Sequence, residues 1–402
     1  MGKADTKKAL TIGILCITTY LANYYLRHIL SVMTPKLIEL GEFTLDHIGL
    51  LSSAYMLLYA VGQLVNGFLG DILSPKKMVV VGIAAGGIST MLFPFIKIGF
   101  LQILCFAVLG FALSMVRGPL VKTVSENTKP NQARVICVFL SFSSFAGPLI
   151  ASLLAIINSW YLVFVVSGGV AVCIAAAAFV VLTALERRGI IHYQSSKGKG
   201  ISSILSVFKI ERIYFYMVIS CLVEIVLVSI SFWIPTYLTD CLGFEENTAN
   251  TIFAVISALR SFMPFVTLAL FRLTKERDIS IMRVAYVIST VMFTALLFSP
   301  NKWVSLVLLL LALLAGACPS ALIWNVFIPG LGKTGKVSSV NGVLDGVAYL
   351  SAAGANLLFA SFMKNAGWNV VLIMWACIGI IGLLTTVIFR ASDKKEPTET
   401  NE

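Results

Sequence analysis

Tyr20, Tyr24 and Arg27 stand four and three residues apart inside a long apolar run, so a helix carries all three on one face. A guanidinium offers a planar fork of N–H donors that grips a phosphate or carboxylate with two parallel hydrogen bonds, and phenol hydroxyls add further donors. The set reads as an oxyanion site. The competing reading of the same residues is an arginine snorkelling to the membrane edge beside an aromatic belt. Four other ionisable residues interrupt apolar runs: Arg117 in Arg117-Gly118-Pro119, Glu224, Arg260 and Asp345. A charge inside a membrane helix costs a few kcal/mol, so it faces a watery cavity or a partner. Together the three arginines and two acids carry +1, a poor match for a doubly charged phosphate. Arg117 and Arg260 can each supply a second cationic contact or simply neutralise Glu224 or Asp345. Either acid reads as a proton carrier, as half of a permanent ion pair, or as the partner of an amine on a zwitterionic substrate.

Membrane-crossing helices must position these residues. Of 402 residues, 58% are hydrophobic and 12% charged, and the mean hydropathy is +0.93. A soluble domain of that balance could not cover its surface with polar groups, whereas a bundle in lipid need not. Apolar runs of membrane length number twelve, near 9–34, 46–70, 78–96, 99–122, 134–156, 160–184, 212–239, 248–271, 282–299, 303–328, 337–361 and 367–390. The formal charge of +11 does not mark a nucleic-acid binder, because the basic residues lie in short breaks between apolar runs rather than in one stripe. Of 30 Lys and Arg residues, three lie well within spans and four (Lys36, Lys97, Lys302 and Lys364) on one side, which leaves 23 on the other side or at its membrane edge. Basic residues are retained on the cytoplasmic side, so both termini are expected there, in a prokaryotic cytoplasmic membrane.

The first apolar run reaches full membrane length without a small-residue cleavage site, so no cleaved signal is expected. Seven of the eight cysteines fall inside spans without metal-ligand spacing and read as small packing residues rather than a disulfide framework. The segment Ser195-Ser196-Lys197-Gly198-Lys199-Gly200 has a linker composition, with an amphipathic stretch around Ile201 to Phe208. The expected organisation is a six-helix bundle over 1–185, a cytoplasmic linker over 186–211, a second six-helix bundle over 212–391 and a tail over 392–402. Halves of this kind rock about a central site near the membrane midplane. Gly118-Pro119, Gly147-Pro148, Pro264, Pro319 and Gly342 permit close packing and bending in those helices.

The loop after the second span, Gly67-Phe68-Leu69-Gly70-Asp71-Ile72-Leu73-Ser74-Pro75-Lys76-Lys77, resembles the signature loop of the major facilitator superfamily at Gly67, Asp71 and Lys77. Pro75 stands where that loop usually has glycine, and the equivalent loop of the second half, Arg272 to Asp278, is degenerate. The resemblance implies an all-α polytopic fold of twelve transmembrane helices in two six-helix bundles. It also implies a cavity bordered by spans 1, 4, 7 and 10 and partly by 8 and 11.

Tyr20, Tyr24, Arg27, Pro35, Tyr59, the segment Trp233-Ile234-Pro235-Thr236-Tyr237-Leu238 and Tyr349-Leu350 look like the organophosphate:phosphate antiporter family, which includes bacterial glycerol-3-phosphate and hexose-phosphate transporters. By that resemblance Arg27, Tyr20, Tyr24, Tyr59 and Tyr349 bind the phosphate group. The chain departs from the family at several of its site positions. Leu227 replaces the family's second phosphate-binding arginine, Glu224 a tyrosine, Gln63 and His28 lysines, and Ser144 a histidine.

The function expected is secondary transport by alternating access of a small organic anion, an organophosphate such as a glycerol or sugar phosphate, in exchange for inorganic phosphate. The alternative is a proton-coupled symporter of a monoanionic or zwitterionic metabolite, with Glu224 or Asp345 as proton carrier. The full phosphate-loop pattern, a glycine followed after four residues by Gly-Lys-Ser/Thr, and a His/Cys metal cluster are both missing, so neither an enzyme nor a cofactor is expected. A transporter-like sensor or a lipid-handling membrane enzyme stays open, because a fold does not decide function. The chain is expected to act as a monomer.

Overall fold

The computed structural model describes residues 3–157, 159–194, 206–299 and 301–393, and their regular structure is helical. In hydrocarbon each backbone N–H and C=O must find its partner within the segment, and a helix does that residue by residue. The elements are α1 (Lys3–Glu39), α2 (Leu45–Ile72), α3 (Pro75–Leu92), α4 (Gly99–Ser114), α5 (Arg117–Asn127), α6 (Pro130–Leu154), α7 (Trp160–Arg187), α8 (Ile213–Asp240), α9 (Glu246–Leu273), α10 (Asp278–Leu296), α11 (Lys302–Leu322), α12 (Val337–Ala366) and α13 (Trp368–Asp393). Among the described residues ten helices are long and apolar enough to cross a membrane, α4 and α5 counting together as one. With α8 and α12 they make up a twelve-helix membrane fold.

Starts and stops follow local chemistry. The Thr44 hydroxyl accepts from His47 N at 3.2 Å to cap α2, and Pro75 and Pro130 sit in the first turns of α3 and α6, where no N–H is needed. Eleven residues of the expected linker, 195–205, lie outside the described residues, as do residues 394–402 of the tail. Of the expected amphipathic stretch, Ser206–Lys209 forms one tight turn. The Trp233 side chain is likewise outside the described set. All eight cysteines are free.

By density of contacts the chain divides into Met1–Ile210 with Trp324–Gly346, and Glu211–Ile323 with Val347–Glu402. In the first unit α1 packs on α6, α2 on α4 and α3 on α7. At the end where α1 begins, Asp5 pairs with Lys129 at 2.7 Å and Lys76 with Glu186. There the chain leaving α7 is tied down: His192 N donates to Asn127 Oδ1 at 2.8 Å and Gln194 N to Glu126 Oε2 at 2.9 Å. Burial pushes the Tyr193 phenol between them up. At the opposite end Phe43 stacks on Phe93 and meets Trp160 edge-on.

In the second unit α10 packs against α11 and α13. Its core gathers Leu309, Leu313, Phe293 and Trp375, and the indole N–H of Trp375 donates to Ser229 Oγ at 2.9 Å. The carboxylate of Asp278 accepts from the Tyr216 hydroxyl, and Arg283 donates to the Thr386 carbonyl at 2.8 Å.

Candidate substrate site

The fourth crossing is broken where its arginine sits. α4 stops at Ser114 and α5 starts at Arg117, with Met115 and Val116 as a turn between them. Pro119 has no N–H to offer the Met115 carbonyl four residues back, which weakens the ladder at that point. Neighbouring helices satisfy groups around the break. The Asn23 amide donates to the Leu113 carbonyl at 2.7 Å, and the Asn66 amide donates to Ser114 Oγ at 2.7 Å.

The break puts Arg117 among residues of α1, α2 and α12. Its Nη1 lies 3.8 Å from Asp345 Oδ1, and its guanidinium carbon stands 4.3 Å from the ring centroid of Trp324. It is also within electrostatic reach of Tyr20, Tyr24 and Tyr59. Tyr20 and Tyr24 meet edge to face at 5.1 Å. The Arg27 guanidinium carbon sits 4.9 Å over the Tyr59 ring, and Arg27 is in electrostatic reach of Asp345. Two guanidinium groups and three phenols therefore gather around one carboxylate. Arg27, Arg117 and Asp345 sum to +1.

Asp345 is 4% exposed, and the Asn341 amide one turn earlier on α12 donates to its Oδ2 at 3.0 Å. Such support fixes the carboxylate's orientation whether or not Arg117 stays beside it. Gln63, one turn beyond Tyr59 on α2, is buried. Its Nε2 and the Oδ1 of Asn341 are buried without a hydrogen-bond partner among the described residues. This leaves one spare donor and one spare acceptor in a low-dielectric setting, where both are costly unless something fills them.

The remaining candidates spread out. His28 turns back on its own helix, donating from Nδ1 to the Tyr24 carbonyl at 2.9 Å and stacking on the Tyr24 ring. Ser144 is exposed and its hydroxyl donates to the Ser141 carbonyl at 2.8 Å, while Ser141 itself donates to Asn325 Oδ1 at 2.7 Å. Gly147 passes so close to Tyr24 that an added Cβ would sit 2.4 Å from the Tyr24 Cβ, so this glycine fixes how α6 backs the tyrosine. In the second unit, Glu224 on α8 and Arg260 on α9 are half-buried and within electrostatic reach of each other. Tyr349 is half-buried on α12, one turn past Asp345.

The signature-loop residues make a separate set of contacts. Asp71 Oδ1 and Oδ2 accept from the backbone N–H groups of Ser338 and Ser339 at 3.2 and 2.7 Å, at the start of α12, where the helix dipole favours an anion. Lys122 Nζ meets Asp71 Oδ1 at 3.0 Å and Glu126 Oε1 at 3.9 Å. Gly67 and Gly342 make the crossing of α2 and α12 possible, since a Cβ on Gly67 would stand 2.6 Å from the Gly342 Cα. Lys77 is exposed, and its neighbour Lys76 forms the ion pair with Glu186.

Sequence reasoning missed Trp324, Asn341 and Lys122. Lys122 was counted as a basic residue at the membrane edge, yet it is 1% exposed. Asn341 had a readable signal, its spacing of four from Asp345. Trp324 had none, because it lies in a π-helical turn, Ile323–Phe327, that continues α11 and resets the register of the helix.

A polytopic helical bundle with charged side chains gathered inside it defines an integral membrane protein. The sequence profile of the Major Facilitator Superfamily matches residues 14–355, and the chain belongs to that superfamily. The fold agrees with two solved transporters. One is the proton:xylose symporter XylE bound to 6-bromo-6-deoxy-D-glucose, at TM-score 0.74 and 11% identity over 96% of each chain. The other is FucP in the outward conformation, at TM-score 0.73 and 12% identity over 95% of this chain and 99% of that one. In sequence, a probable sulfoacetate transporter, SauU of Cupriavidus necator, is 31% identical over 107 residues. That stretch is 27% of this chain and 24% of the relative, so the chain matches about a quarter of its length.

Proposed function

We propose that the protein carries a small organic anion whose oxyanion group is gripped by Arg27 and Arg117 among Tyr20, Tyr24 and Tyr59, and that the anion is an organophosphate such as a glycerol or sugar phosphate exchanged for inorganic phosphate. The observation that carries this reading is the gathering of two guanidinium groups and three phenols around Asp345. Arg117 takes the place of the second arginine that the seventh span lacks at Leu227. Between transport cycles Asp345 neutralises Arg117; an arriving oxyanion competes for the same donors with a bidentate geometry that the 3.8 Å pair does not have. Gln63 Nε2 and Asn341 Oδ1 offer a donor and an acceptor to a substrate hydroxyl, which fits a polyol ester. Tyr349, His28, Ser144, Glu224 and Arg260 are further candidates for substrate contact, each within its own unit. Gly67, Asp71 and Lys77 serve the gate rather than the substrate.

A second reading is favoured by the buried Arg117–Asp345 pair itself. Protonation of Asp345 releases Arg117 and raises the local charge from +1 to +2, which couples proton binding to anion binding. A proton-coupled symporter of a monoanionic or zwitterionic metabolite works this way, with Asp345 or Glu224 as carrier, and the two solved relatives include a proton symporter. The sulfoacetate named for the Cupriavidus relative adds sulfonates to the oxyanions worth testing. In either reading the protein acts as a monomer in a prokaryotic cytoplasmic membrane with both termini cytoplasmic, and its halves are 1–185 and 212–391.

Purified protein in liposomes tests both. Uptake of labelled glycerol 3-phosphate that requires internal phosphate supports exchange, and uptake driven by an imposed pH gradient without internal phosphate supports symport. Failure of phosphate esters, sulfonates and carboxylates alike to enter under either condition overturns the anion-carrier reading.

A further inference from the structure

We infer that the second unit holds a binding site for one acidic phospholipid, its acyl chain lying in a groove between α9, α10 and α11 and its phosphate under the basic turn Arg272 to Arg277. The groove has a volume of about 240 Å3 and is lined by Thr274, Ser280, Val284, Ile288, Ala315 and Cys318 among others. Ser280, Val284 and Ile288 form one stripe down α10, spanning eight residues and so about 12 Å of helix. Ala315 and Cys318 on α11 and Ala285 on α10 are small, which leaves the floor of the groove hollow where larger side chains would fill it. Its walls are apolar and outward-facing: Val284 is 59% exposed and Leu270 and Ile288 about 40%. In a membrane the occupant of such a slot is a hydrocarbon chain.

The headgroup follows from charge. Thr274, at the mouth of the groove, begins the turn joining α9 to α10, and Arg272, Lys275 and Arg277 beside it are all exposed. The turn's two acids do not cancel them. Asp278 accepts from Tyr216 and lies 3.9 Å from Arg212, which also pairs with Glu211 at 3.4 Å, so that acid is engaged within the fold and three exposed cations stand on the turn beside Glu276. Lys275 and Glu276 both adopt left-handed backbone, with φ of 55° and 65°, which turns the chain sharply from α9 into α10. Apolar slot and cationic mouth together fit an anionic glycerophospholipid, and a zwitterionic headgroup gains much less from the same cations. The site is separate from the Arg27 cluster and does not depend on the anion-carrier reading.

Full-length protein stripped of lipid by detergent washing is titrated with phosphatidylglycerol or phosphatidylcholine in mixed micelles, and bound lipid is counted by native mass spectrometry. One phosphatidylglycerol is expected to be retained with a preference on the order of tenfold over phosphatidylcholine. The triple substitution Arg272→Gln, Lys275→Gln, Arg277→Gln should remove the preference. Ala315→Phe, which fills the floor and leaves the charges alone, should lower retention of both lipids. Equal retention of the two lipids by the unmodified protein overturns the proposal before any variant is made. So does an undiminished phosphatidylglycerol preference in the folded triple variant, or undiminished lipid retention in folded Ala315→Phe.

Discussion

The guanidinium of Arg117 lies 3.8 Å from the carboxylate of Asp345 and 4.3 Å from the centroid of the Trp324 ring, a cation held between an anion and an aromatic face. At 17% and 6% side-chain exposure the two charges depend on each other for solvation. A buried pair of this kind adds little net stability, but breaking it from one side is expensive. Under the proposed function the pair is less a brace than a latch that another anion or a proton opens.

Asp345→Ala should destabilise the protein by about 3 kcal/mol, because it strands Arg117 in a poorly hydrated site, whereas Asp345→Leu combined with Arg117→Leu should recover most of that loss. Thermal unfolding in detergent measures both. If the double variant is as unstable as the single one, the pair is not what Arg117 needs.

Arg27→Lys should reduce transport on the order of tenfold or more with expression intact, since the charge survives but the two-pronged grip does not. The comparison is uptake per unit of reconstituted protein. Near-normal uptake would remove Arg27 from the substrate site.

Trp324→Leu should weaken substrate binding by a factor of about 2 to 30, corresponding to the loss of one cation–π contact, and Trp324→Phe should recover part of it. Isothermal titration with phosphate esters reads the change directly. An unchanged affinity in Trp324→Leu would mean that the indole only fills space.

Gly67→Val should abolish transport, because its first side-chain carbon would stand 2.6 Å from the Gly342 Cα, where backbone cannot yield cheaply. Gly49, with open space around it, should accept alanine with little effect and serves as the control. Monodispersity on size-exclusion chromatography, read beside uptake, separates a blocked conformational change from a misfolded protein.

Much of the fold was legible before any coordinates. Twelve apolar runs and lopsided lysines and arginines dictate a polytopic helical bundle, because hydrocarbon tolerates no other way to satisfy the backbone. Arg27, Tyr20 and Tyr24 were readable as one face, since three- and four-residue spacings fix neighbours within a helix. Gly118-Pro119 flagged a bend near Arg117, though not that the helix would stop there.

Which charges meet belonged to the tertiary structure alone. Sequence left Arg117 and Arg260 each able to serve Glu224 or Asp345; the fold brings Arg117 to Asp345 and Arg260 within reach of Glu224. It also turns His28 back onto its own helix and sets the Ser144 hydroxyl on a local carbonyl, contacts that spacing alone does not give. Periodicity ranks residues along one helix, whereas contacts between helices depend on where ladders break and on which glycines let backbones touch. The break before Arg117, the π-helical turn at Trp324 and the Gly67–Gly342 crossing each depend on several helices at once, so only the packed chain could decide them.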